Sequence, residues 1–174
     1  MLEQIVRAAI LDGRIYRDLG ESPEVLFRAM GIVLLAALAF GLGMRNEAVL
    51  GYGDDDQILK IFVAASSVFL GWVLWSFVSF VIGRMMRSTA TYRQTLRALG
   101  IAFAPGVLLV FFGVPSVIGP IVVTIAKFWL LAAGLIAVSE THNFGPIKAF
   151  VPTIIGWYMS QLLLPAFLLP LEAT

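Results

Sequence analysis

Apolar residues run unbroken through long stretches of this chain, and the charged residues collect between them. No Asp, Glu, Lys or Arg occurs in 29–44, 61–83, 98–126, 128–139 or 149–171. A helical crossing of a bilayer needs about 20 apolar residues, so these stretches are predicted to be transmembrane helices or parts of them. The block 96–139 is too long for one helix. Gly113-Val114-Pro115-Ser116-Val117-Ile118-Gly119-Pro120 supplies a turn inside it, because Gly and Pro interrupt helical hydrogen bonding. Five spans are predicted, at about 25–44, 59–83, 94–113, 120–139 and 149–171. The runs lack the alternation of barrel strands, and a backbone in hydrocarbon has no third option. The predicted fold class is therefore all-α, an integral membrane bundle of five transmembrane helices over 25–174.

Local start signals agree with helices. Ser22-Pro23-Glu24 reads as an N-cap, a proline in the first turn and an acid beside the helix dipole. Thr91-Tyr92-Arg93-Gln94 has capping-box spacing, so the third span is predicted to begin as a polar turn. Residues 1–24 are expected to form a separate cytoplasmic segment. Leu2, Ile5, Val6 and Ala9 share one helical face, with Glu3, Gln4 and Arg7 elsewhere, which predicts a short amphipathic helix on the inner leaflet or against the bundle. The apolar stretch begins too late for a cleavable signal, and no small-residue cleavage site trails it.

Composition narrows the function. Only 13% of the residues are charged against 60% hydrophobic, too few to wet a soluble domain of this size. A net charge of +1 argues against a nucleic-acid partner, which would need a basic surface. There is no cysteine, hence no disulfide and no thiolate chemistry. Nine basic residues lie on one predicted side: Arg7, Arg14, Arg17, Arg28, Arg84, Arg87, Arg93, Arg97 and Lys148. Arg45 and Lys60 lie on the other, beside Glu47 and Asp54-Asp55-Asp56. The positive-inside rule then places the N-terminus in the cytoplasm and, after five spans, the C-terminus outside.

Candidate chemistry is sparse. Lys127 is the one ionisable residue well inside a predicted span, and such residues are candidates for relay or counter-ion roles. Its stem can also snorkel to the outer interface or reach the acidic outer loop, which is the blander reading. Gln161 is the other intramembrane polar residue singled out. Asp54-Asp55-Asp56 lacks the ligand spacing of a calcium loop and reads as a solvated loop. His142, the single histidine, reads as an interfacial residue, since zinc needs three or four ligands. No nucleophile–base arrangement or phosphate loop is recognisable, so no enzyme, metal or cofactor is expected. Gly71 and Gly100 sit in small-xxx-small pairs that let helices approach closely, and Pro105-Gly106 marks a hinge or packing point.

The second span ending in Gly83-Arg84, the stretch Thr91-Tyr92-Arg93-Gln94-Thr95-Leu96-Arg97-Ala98-Leu99-Gly100, Ala104-Pro105-Gly106 and the late Phe128-Trp129-Leu130-Leu131 resemble the Yip family of polytopic membrane proteins. With its short N-terminal segment, the chain is similar to the compact bacterial members. The resemblance implies five spans, a cytoplasmic N-terminus and a bacterial inner membrane. Eukaryotic relatives bind Rab GTPases through a long N-terminal region absent here, which counts against a GTPase partner.

The leading expectation is a non-enzymatic scaffold or adaptor. Its cytoplasmic face, with Arg14, Arg17, Arg84, Arg87, Arg93 and Arg97, would contact anionic lipid, another membrane protein or a second copy of the chain. Each basic residue at an anionic leaflet is worth about 1 kcal/mol. The alternative is a small transporter or lipid-translocating protein with a cavity near Pro105 and Lys127, lined by Trp129 and Gln161.

Overall fold

A computed structural model describes residues 13, 16, 23–44, 57–114 and 117–162. The chain runs through α1 (Pro23–Met44), α2 (Gln57–Met85), α3 (Tyr92–Ala102), a 3-10 helix (Ala104–Gly113), α4 (Ile118–His142) and α5 (Pro146–Gln161). The described residues are helical with no strand. Among them, Pro23–Met44, Ile61–Met85 and Ile118–His142 are long and apolar enough to cross a membrane. The sequence-predicted spans at 25–44, 59–83 and 120–139 fall on these three.

The third predicted span, 94–113, is not one straight helix. α3 and the 3-10 helix meet at a 49° bend and make a fourth crossing only if taken together. Pro105 explains the break, because it has no N–H to offer the carbonyl four residues back. The Phe103 N–H instead reaches the carbonyls of Gly100 and Ile101, and the Gly106 N–H reaches Phe103 at 2.8 Å. From there the backbone tightens into a ten-residue 3-10 run, longer than is usual for that helix type. α5 is described for 16 residues, about 24 Å at 1.5 Å per residue, short of a hydrocarbon core of roughly 30 Å. The remainder of the fifth predicted span and the predicted amphipathic helix at 2–9 lie outside the described residues. The described helices thus give three crossings, or four with the bent pair, where the hydropathy pattern predicts five.

Close approach of backbones holds α1 against the bent segment. Ala29, Ala36 and Gly43 recur every seven residues on α1 and meet Gly100, Gly106 and Gly113 in turn. A Cβ at Gly100 would come within 2.7 Å of the Ala29 Cβ, and one at Gly106 within 2.8 Å of the Ala36 Cβ. Helices in lipid gain little from the hydrophobic effect, so this small-residue seam supplies the packing.

α2 binds its neighbours through two tryptophans. The Trp72 indole donates to the Leu96 carbonyl of α3 at 3.0 Å, and the Trp75 indole donates to the Thr153 carbonyl of α5 at 3.0 Å. Trp75 is fully buried, and its ring wedges between Gly134 of α4 and Gly156 of α5, where any Cβ would collide with it. Ser79 adds a bond to the Pro152 carbonyl at 3.1 Å. In an apolar surround such indole and hydroxyl groups need these acceptors, so they fix the register of α2 on α5.

Candidate functional site

The loop between α2 and α3 is held at one end of the bundle by a histidine from α4. His142 is 3% exposed, and Gly83 packs directly on its ring. Its Nδ1 lies 2.9 Å from the Ser88 Oγ and its Nε2 lies 3.1 Å from the Thr95 Oγ1. Thr95 donates its own proton to the Thr91 carbonyl at 3.2 Å, while Ser88 Oγ accepts from the Ala90 N–H at 3.1 Å. One assignment satisfies every group: Ser88 donates to Nδ1, and Nε2–H donates to Thr95. His142 was expected at the membrane interface; it is instead a buried clamp with both nitrogens engaged.

The chain on either side is equally constrained. The Arg87 N–H bonds to Arg84 O at 3.0 Å and the Ser88 N–H to Gly83 O at 2.9 Å, which closes α2 with Arg87 at φ 66°. Thr91 and Gln94 then form the capping box read from the sequence. Tyr92 packs edge-on against Phe77 and Phe80 of α2, at ring separations of 6.2 and 5.9 Å. α4 ends on Asn143 in the left-handed region, and Phe144 stacks on His142 at 5.5 Å.

On this frame Arg84, Arg87 and Arg93 are exposed, with Arg84 tied to the Ser88 carbonyl at 3.0 Å. Arg97, assigned to the same surface by sequence, is only 6% exposed and is turned into the bundle. Arg14 and Arg17 lie outside the described residues. Lys148, at the start of α5, is exposed.

A second feature lies deeper. A partly open cavity of about 210 Å³ sits where α1, α2, the bent segment, α4 and α5 converge. Phe40, Val68, Phe103, Leu109, Leu130 and Trp157 give it apolar walls. Lys127, Gln161, Ser67 and Ser160 bring the polar atoms, with Gly71 opening the wall beside Ser160. Sequence reading placed Lys127 and Gln161 beside a cavity, and both line this one. Pro105 is buried at the bend instead, and the aromatic lining comes from Trp75 and Trp157 where Trp129 was expected.

The family model of the Yip1 domain matches residues 13–168. The chain belongs to that family. No curated protein and no solved structure matches it. The Yip1 domain therefore contains the helices, the His142 clamp and the cavity in one unit, and the protein is a multi-pass membrane protein of the Yip kind. Within this Yip1 domain the clamp is what sequence reasoning missed. The capping-box motif pointed to the start of α3, but nothing local to Ser88 or Thr95 signals a histidine 54 or 47 residues away.

Proposed function

We propose that this Yip1-domain protein is a non-enzymatic scaffold of a bacterial inner membrane. It crosses the bilayer five times from a cytoplasmic N-terminus and presents the loop after α2 to an acidic cytoplasmic segment of another membrane protein. The carrying observation is the buried His142 clamp beneath Arg84, Arg87 and Arg93. Arginines that only set topology need no fixed conformation, because the positive-inside bias counts charge and ignores geometry. A fluid anionic leaflet likewise adapts to any arrangement of cations. A partner that reads spacing does require one, and Arg87 is kept in a backbone region that costs a non-glycine residue of order 1 kcal/mol.

A photo-reactive residue placed at Met85, which is 79% exposed beside the loop, tests this in intact membranes. The expected result is a protein adduct of discrete mass that disappears in Arg84→Ala/Arg87→Ala/Arg93→Ala while insertion is retained. Adducts to lipid alone, or an adduct unchanged in the triple variant, would reduce these arginines to a topology signal.

A further inference from the structure

Lys127 lies about 14 Å along α4 from its Ile118 end, at a depth where a cation is expensive unless something answers its charge. Among the described residues its ammonium makes no hydrogen bond or ion pair. The described carboxylates are Glu24, paired with Arg28 at 3.6 Å in the first turns of α1, and Glu140, about 20 Å farther along α4. The cation faces a cavity of about 210 Å³ at the convergence of five helical segments.

The remaining polar atoms of the cavity decide what it accepts. Ser67 gives its proton to the Ala64 carbonyl at 2.7 Å and Ser160 gives its proton to the Trp157 carbonyl at 2.6 Å. The Trp75 indole N–H is likewise committed to Thr153. The Gln161 amide reaches Ser160 Oγ only at 3.4 Å, the outer limit of a hydrogen bond. What is left to offer is the Lys127 ammonium, a donor only, and the Gln161 carboxamide, whose N–H groups can donate and whose oxygen can accept. The one charge among the described lining residues is positive and none of them is a carboxylate, which favours an anion over a metal cation.

The walls decide its source. Most of the lining is aromatic or aliphatic. A cavity of about 210 Å³ is small beside a whole lipid, so what it takes is a headgroup and the carbons next to it. We infer that this cavity binds an anionic phospholipid, with the phosphate answered by Lys127 and Gln161 and the acyl chains left along the apolar flank of the bundle. The flexible lysine stem lets the ammonium rise toward a headgroup drawn down from the interface. The site lies apart from the loop arginines and is independent of the scaffold reading.

The test uses the full chain in phosphatidylcholine nanodiscs doped with phosphatidylglycerol. Retained lipid is counted by native mass spectrometry, alongside quenching of tryptophan fluorescence by brominated phosphatidylglycerol, since Trp75 and Trp157 line the cavity. Wild type should prefer phosphatidylglycerol over phosphatidylcholine by roughly fivefold to tenfold, the scale one or two well-placed donors supply. Lys127→Gln should abolish the preference and Lys127→Arg retain it. Ser67→Leu, which fills the cavity without touching the charge, should also abolish it. Arg84→Ala/Arg87→Ala/Arg93→Ala should leave it unchanged. An equal preference in wild type and Lys127→Gln overturns the proposal, as does displacement of the lipid by inorganic phosphate alone. A preference that emerges only in Asp54→Asn/Asp55→Asn/Asp56→Asn overturns it too, because Lys127 would then be occupied by the chain's own acidic loop.

Discussion

The Ser88 hydroxyl sits 2.9 Å from the Nδ1 of His142, joining the turn after α2 to the last residue of α4. The contact spans 54 residues of sequence and closes one end of the bundle. Because the opposite ring nitrogen reaches Thr95, a single side chain sets the distance between α4, the loop and the first turn of α3. The basic residues therefore project from a defined frame.

His142→Ala should cost about 2–4 kcal/mol, combining a cavity with the loss of two hydrogen bonds. Thr95 keeps its bond to the Thr91 carbonyl, so the damage should fall on the loop. Unfolding in mild detergent gives the cost. Limited proteolysis should show new cleavage within 86–91, and an uncut loop at unchanged stability would remove the clamp from the account.

Gly83→Ala tests the same clamp from the opposite wall. Its Cβ would strike the imidazole, so the ring must leave its place between Ser88 and Thr95. A loss of about 1–3 kcal/mol is expected from overpacking. It should not add to the loss from His142→Ala in a double-mutant cycle, because both changes remove one arrangement.

Arg87→Gly should separate stability from recognition. Arg87 has φ 66°, a region glycine adopts freely, so the change should leave the protein as stable or raise stability by up to about 1 kcal/mol. The adduct formed at position 85 should weaken all the same. A stable Arg87→Gly variant with undiminished cross-linking would show that this side chain is not read by a partner.

Thr91→Ala removes the acceptor for the Gln94 N–H. The expected cost is about 1 kcal/mol. It should be local, seen as faster amide exchange at residues 92–95 with the spans α2 and α4 unaffected. Exchange rising equally across those spans would mean that the cap supports the whole bundle.

Gly156→Ala should push Trp75 from its slot, since the added Cβ meets the indole. The bond from Trp75 to the Thr153 carbonyl is lost with it, and destabilisation of about 1–3 kcal/mol follows. A changed tryptophan emission spectrum with a lowered unfolding midpoint checks both parts.

Pro23 with Glu24, and Thr91 with Gln94, announced the starts of α1 and α3 because capping depends on residues within one turn. Hydropathy placed α1, α2 and α4 because an apolar run of that length has few other destinations. Pro105 was visible as a break, but a ten-residue 3-10 run with a 49° bend was not. That form depends on Ala36 and Gly43 of α1 admitting Gly106 and Gly113, a fit between segments remote in sequence. Lys127 and Gln161 could be picked out as polar residues in apolar surroundings, and the cavity that joins them needed Phe40 of α1 and Ser67 and Gly71 of α2.

The sequence by itself determined where three of the membrane helices lie, how α1 and α3 begin, and where the basic residues gather, since hydropathy, capping and charge are properties of neighbouring residues. Tertiary structure alone decided that Arg97 is buried while Arg84, Arg87 and Arg93 stay exposed, that His142 bridges Ser88 and Thr95, and that Lys127 faces open space. Those outcomes depend on which helix faces meet and how closely, and small-residue packing in lipid sets that through contacts between residues far apart in the chain.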